Sequence, residues 1–286
     1  MTKPCSRRQA LARLGATGAV ALGLPAARGQ PDRGAPLTLA LAPFLSPAAL
    51  FVAFEPLRAH LQQRLARPVE LVSSRDFHSH TLSTQRGEHD VAQLPAHLGR
   101  LAMLDWRWQL LAVPDEPGVV IVAVRDGGPV LAPAALRGRT VGMLDPLSLT
   151  ATVGRRWLQQ QGLADTVTVQ TLPSINSMLF ALERGEVDAF VAADTQLRSL
   201  PAATPRGERV LARVEGIPAP LYLARPQMPP AERRAIAEAM LGFAPDSGRP
   251  VTAANARLVP LPAARLAALD AYADIARRVL ASPARP

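Results

Sequence analysis

Thr140-Val141-Gly142-Met143-Leu144, followed by Asp145-Pro146-Leu147-Ser148-Leu149-Thr150, is the stretch on which the fold class turns. Five mostly apolar residues are too few for a helix and read as a buried strand, which Asp145-Pro146 interrupts. Ser148 and Thr150 then stand at the start of a helical stretch, Leu149 to Gln161, closed by Gly162. A strand that turns at once into a helix is half of a βαβ unit, and repetition of that unit makes a parallel sheet covered by helices.

The same alternation extends in both directions. Upstream, strands are expected at Leu37–Ala42, Pro68–Val72 and Asp90–Leu94, with helices over Ala48–Leu65 and Phe77–Arg86. Two longer apolar runs, Trp108–Val113 and Val119–Val124, lead to a turn at Asp126-Gly127-Gly128-Pro129. Downstream come strands at Val167–Thr171, Ala189–Ala192, Arg209–Val214 and Leu221–Ala224, and helices at Ile175–Arg184, Pro230–Leu241 and Ala263–Leu280. The layout predicts an α/β protein of two lobes with an interlobe cleft. Residues 36–124 and 216–286 would form the first lobe and residues 125–215 the inserted second. The chain would pass between them near Val122–Asp126 and Glu215–Leu221, which creates a hinge.

Composition fits this class. With 286 residues, 48% hydrophobic and 19% charged, the chain can bury one large core or two moderate ones. Aromatic residues are only 4%, which favours layered α/β packing over a β-sandwich. The net charge of +9 does not indicate a nucleic-acid partner, because the basic residues do not cluster on one segment of the folded part. Lys3, Arg7, Arg8, Arg13 and Arg28 lie in residues 1–29 with no acid among them, so without that segment the charge falls from +9 to +4.

Residues 1–29 have the outline of a cleavable export signal: Ser6-Arg7-Arg8-Gln9-Ala10-Leu11, then an apolar run from Leu14 to Leu24, then small residues. The adjacent arginines resemble a twin-arginine signal. The run is shorter than the ~20 residues that a transmembrane helix needs. Cys5 is the chain's one cysteine, so cleavage would leave a periplasmic protein with neither disulfide nor thiol nucleophile.

Four segments in order resemble the phosphate, phosphite and phosphonate-binding family of ABC importers, solute-binding proteins of the type II periplasmic fold. They are Pro43-Phe44-Leu45-Ser46-Pro47; Phe54-Glu55-Pro56-Leu57 with Pro68-Val69-Glu70-Leu71; Gly87-Glu88-His89-Asp90-Val91-Ala92; and Leu136-Arg137-Gly138-Arg139-Thr140-Val141-Gly142 leading to Asp145–Thr150. A fifth, Leu179 to Ala189, is similar to the family's helix-to-strand corner. The resemblance implies capture of a small oxyanion, with no cofactor, by a soluble monomer that docks on an ABC permease. The alternative is that the same fold reports ligand occupancy to a membrane sensor.

Candidate ligand contacts follow from the physics of anion binding as well as from the resemblance. A helix amino terminus offers unpaired N–H groups and the positive end of its dipole. Ser148 and Thr150 stand at one such start and Ser174 and Asn176 at the next, though each Ser is equally a helix cap. Family members commonly carry a histidine near Asn176. From the first lobe, Ser46, Phe77 and His78 lie at strand carboxyl ends, where open α/β sheets place ligands, though Phe77 is equally a core residue. Asp188 resembles a family position that can meet an amino group on the ligand, while as a residue at a strand start its ordinary role is turn capping. Departures are also present: after Asp90-Val91-Ala92 the family usually continues with glycine-proline and a tyrosine, whereas this chain reads Gln93-Leu94-Pro95-Ala96-His97.

Other chemistries have little support. His78 and His80 form an H-x-H pair, with His89 and His97 beyond it, but no carboxylate or cysteine cluster joins them, so no metal site is expected. Neither G-x-S-x-G nor H-E-x-x-H occurs, and Gly-rich phosphate loops are absent, so no catalytic residue is expected.

Overall fold

The computed structural model describes residues 35–115, 117–204, 206–245 and 251–281. The expected export signal therefore lies outside the described residues. The first sheet contains β1 (Leu37–Leu41), β2 (Val69–Ser73), β3 (Val91–Leu94), β4 (Gln109–Pro114), β10 (Leu221–Ala224) and β11 (Leu258–Val259). Their order is β11-β4-β10-β3-β1-β2, with β1 parallel to β2 and β3, and β10 antiparallel to β3 and β4. The second sheet contains β5 (Gly118–Arg125), β6 (Thr140–Met143), β7 (Thr168–Thr171), β8 (Ala189–Ala193) and β9 (Glu208–Ile217), in the order β7-β6-β8-β5-β9.

Helices cover these sheets because their apolar residues recur every three or four positions. In α1 (Pro47–Leu65) the buried set is Ala49, Leu50, Phe54, Leu57 and Leu61. The other helices are α2 (Phe77–Gln85), α3 (Ala96–Asp105), α4 (Leu149–Gln160), α5 (Ile175–Arg184), α6 (Asp194–Arg198), α7 (Pro230–Leu241), α8 (Ala263–Ala267) and α9 (Asp270–Ala281). The single carboxy-terminal helix expected from the sequence is thus two. Helices α3 and α6 were not expected. Gly99 weakens the helical signal of α3, yet packing requires it: a Cβ there would lie 2.9–3.0 Å from Leu221 side-chain atoms on β10.

The first crossing between sheets differs from expectation. All of β5 belongs to the second sheet, antiparallel to β8 on one side and β9 on the other. The chain therefore leaves the first sheet between Pro114 and Gly118, not near Val122–Asp126. Pro114 and Pro117 bracket this point, and proline, which has no N–H for a ladder, marks the end of pairing. Asp126-Gly127-Gly128 only turns the chain at the far end of β5. The return falls at Pro218-Ala219-Pro220, between β9 and β10. At the crossing Gly118 stands opposite Ile217, so both connections run side by side.

Residues 251–256 also depart from the expected first-lobe assignment. Ala253 N–H donates to the Thr195 carbonyl at 3.0 Å, and Arg198 Nε donates to the Val251 carbonyl at 2.6 Å. Residues 251–253 thus lie against α6 of the second lobe before β11 rejoins the first sheet.

Candidate functional site

A cavity of about 90 Å³ lies between the lobes, at the carboxyl ends of β1, β3 and β8 and against both crossings. Phe44, Phe77, Gln93 and Pro95 line it from the first lobe, and Ser148, Leu149, Thr150, Thr195 and Gln196 from the second. Gly118, Val119 and Val120 with Ile217–Pro220 form the hinge-side wall, and Val251, Thr252 and Ala253 close it from the irregular stretch before β11. Most of these side chains are apolar, with a few polar groups among them, as in sites for small organic molecules.

The local sequence explains how the donors are set. Ser148 has extended backbone dihedrals, and its Oγ accepts the Ala151 N–H at 3.1 Å, so it caps α4. The same Oγ lies 3.2 Å from Thr150 Oγ1, and both residues line the cavity. Cap and cavity wall are therefore one feature: the cap fixes the hydroxyls beside the free N–H groups of the first helical turn. Opposite, Gln93 is buried within β3, whose other three residues are apolar and buried too. Its Oε1 accepts the Ala42 N–H at 3.2 Å, which leaves its amide NH₂ as the group available to a ligand. Gln196 is oriented similarly, with Oε1 accepting the Ala193 N–H at 3.3 Å. Among the described residues that line the cavity none is charged.

The residues singled out from the sequence divide into three groups. Ser148, Thr150 and Phe77 line the cavity. Ser46 and Asn176 do not; they meet each other across the cleft, where Ser46 N–H donates to Asn176 Oδ1 at 3.1 Å. The Ile175 N–H beside it donates to the Phe44 carbonyl at 3.0 Å, so the lobes touch directly here. Ser174 caps α5 through Oγ, which accepts the Ser177 N–H at 3.2 Å. His78 follows Phe77 on α2 but is exposed and outside the cavity lining. Asp188 is also away from the cavity. It precedes β8, whose far end, at Ala193, reaches the cavity about 16 Å further on at the rise of a strand. There its carboxylate holds Arg139 Nη1 at 2.7 Å and the Thr140 N–H at 3.0 Å. Asp188 thus ties the start of β8 to the start of β6.

Gln93, Thr195, Gln196 and Thr252 were not found from the sequence. Gln93 carried a usable signal, a polar residue inside a short apolar strand; Thr195 and Gln196 sit on the short α6, and Thr252 in an irregular segment. The missing glycine-proline and tyrosine are replaced by a wall built from Gln93, Pro95 and Ala96.

Burial controls the ionisation of the groups around the cavity. His97, fully buried at the start of α3 and hydrogen-bonded to the Leu147 backbone of the other lobe, has its pKa pushed down to about 4 by desolvation. His80 is likewise lowered to about 4 by burial, and one ring nitrogen lies 3.0 Å from the Gln93 carbonyl. Burial raises Asp145, and the Asp76 charge across the cleft adds to the rise. Among the described residues no group of three or more His, Cys, Asp or Glu is placed to hold a metal ion, and no helix is long and apolar enough to cross a membrane.

Two α/β lobes joined by paired crossings, with helix starts converging on a small cavity between them, define a two-lobed solute-binding protein of the type II periplasmic fold. Over residues 39–265 the sequence matches the family described as "ABC transporter, phosphonate, periplasmic substrate-binding protein", and the chain belongs to that family. Its work is solute capture for an ABC importer, and the family is periplasmic and is not one of enzymes.

Similar solved structures include PhnD1 from Prochlorococcus marinus in complex with methylphosphonate, 11% identical, with a TM-score of 0.71 over 85% of this chain and 97% of that one. The binding protein component of an ABC phosphonate transporter from Pseudomonas aeruginosa is 12% identical, with a TM-score of 0.63 over 86% and 98%. The alkanesulfonate-binding protein SsuA from Xanthomonas axonopodis pv. citri, bound to MOPS, is 17% identical, with a TM-score of 0.57 over 87% and 96%. No curated protein matches the chain in sequence.

Proposed function

We propose that the cavity takes one small organic oxyanion of the phosphonate type, with the oxygens at the start of α4 and the substituent against the apolar hinge-side wall. The observation that carries this reading is that Ser148 and Thr150, at a capped helix start, open into a cavity closed on the other side by Phe77 and Gln93. Helix N–H groups, hydroxyls and amide NH₂ groups donate to an anion without needing a cationic partner. A cavity of about 90 Å³ admits a ligand of a few non-hydrogen atoms. Binding without chemistry is supported by the surroundings of Ser148 Oγ: its partners are the Thr150 hydroxyl and the Ala151 N–H, not an imidazole or carboxylate that could activate it.

In this reading the lobes shut on the ligand because contacts from both exist only in the closed state, and the closed form presents the ligand to an ABC permease. The protein acts as a monomer, exported by the signal in residues 1–29 and freed of it. Calorimetry with methylphosphonate, phosphite, phosphate and methanesulfonate tests the ligand class. Thr150→Val removes one hydroxyl from a charged acceptor, which is worth about 1.5–3 kcal/mol, so affinity for methylphosphonate should fall by about ten- to a hundredfold. No heat with any of the four anions would reject the ligand class.

A further inference from the structure

We infer that Asn176 is a latch: it caps helix α1 from the opposite lobe and holds the cleft shut, a positioning residue and not a ligand contact. Ser46 precedes the helix but makes no side-chain cap, and Pro47, the first helical residue, has no N–H to offer. The positive end of a 19-residue helix is thus left without a cap of its own. Asn176 Oδ1 supplies the missing acceptor, taking the Ser46 N–H at 3.1 Å from across the cleft. Beside it, Ile175 N–H donates to the Phe44 carbonyl at 3.0 Å.

Placement supports the role. Asn176 is in the first turn of α5, which Ser174 caps by itself, so Asn176 is not needed to finish its own helix. It is absent from the cavity wall, whereas Phe44, its neighbour's partner, is part of that wall. A side chain that bonds only across the cleft stabilises the closed arrangement alone and shifts the open–closed equilibrium by its full worth. The ligand then meets a cleft already biased toward closure and gives up less affinity in closing it.

The latch rests on the capture reading for its purpose, but its test does not require a ligand. Small-angle scattering of the full chain without ligand measures how open the lobes are. Asn176→Ala should lower the closed-to-open ratio about tenfold, the effect of one lost helix-capping bond, and raise the radius of gyration. Asn176→Asp keeps the acceptor and places a carboxylate at a helix amino terminus, so the protein should stay as compact as the parent. Alanine suits this half-buried helical position, and an unchanged far-ultraviolet circular dichroism spectrum verifies folding. Identical ligand-free scattering for the parent and Asn176→Ala would overturn the latch, as would an Asp variant that opens as far as the Ala variant. Methylphosphonate titration is the separate arm: absence of binding to the parent counts against the ligand reading and leaves the scattering comparison intact.

Discussion

Ser148 shows how one residue can serve two ends and why sequence alone left them unresolved. A serine before a helix is a cap in most proteins, and here it is one, with Oγ on the Ala151 N–H. The fold makes that helix start part of the wall of an interlobe cavity, where the ligand contact proposed above would be the second role. The roles separate by substitution. Ser148→Ala should cost about 1 kcal/mol of stability with the lost cap, and affinity for methylphosphonate as well. Ser148→Asn retains a capping acceptor, so the melting temperature should stay near the parent's while the larger side chain, intruding on a cavity of about 90 Å³, lowers affinity at least as much. Equal melting losses in both variants would refute the assignment. Asp188 is the opposite lesson. A carboxylate at a strand start was legible in the sequence, but which end of the strand faces the cleft depends on strand direction within a sheet not yet assembled, and its partner is Arg139.

Among elements, those with strong periodicity were legible and those shaped by contact were not. The buried runs of β1 and β3 and the three- and four-residue spacing of α1 need no tertiary information. Helix α3 does, because Gly99 disfavours helix locally and is explained only by the approach of Leu221. Gly99→Val should therefore destabilise the protein by about 1–3 kcal/mol through overpacking, seen as a lower denaturant midpoint with an unchanged slope. Stability equal to the parent's would mean that α3 and β10 can separate without cost. The position of the first crossing was hidden for a related reason: two apolar runs on either side of Pro114–Pro117 look alike, and only pairing with β8 and β9 assigns the second run to its sheet.

At the scale of the whole molecule, two buried histidines make folding sensitive to acid. His80 and His97 have folded-state pKa values of about 4 against an ordinary 6.5, because burial disfavours the imidazolium. In the unfolded chain both take up protons as pH falls through about 6.5, while the folded protein does not until about 4. The unfolded state thus binds more protons in this window, so stability falls as pH drops from 6.5 to 4 and is fully present above 6.5. A shift of this size corresponds to about 3 kcal/mol for each histidine at the acid end. Asp145, raised by burial, works in the opposite sense: its protonated form suits the fold, so it loses stability as pH rises through the carboxylate range. Both histidines outweigh it over this window, since their shifts are large and they are almost wholly buried. His97 also bridges the lobes through the Leu147 backbone, a hydrogen bond that favours the imidazolium and only partly offsets the burial that disfavours it. Thermal unfolding measured at half-unit steps from pH 7.5 to 4 should show a steady fall below 6.5, and His97→Gln, which has no titrating ring, should flatten it by roughly half. A parent curve level down to pH 4.5 would mean that these imidazoles titrate as freely in the folded protein as in the unfolded chain.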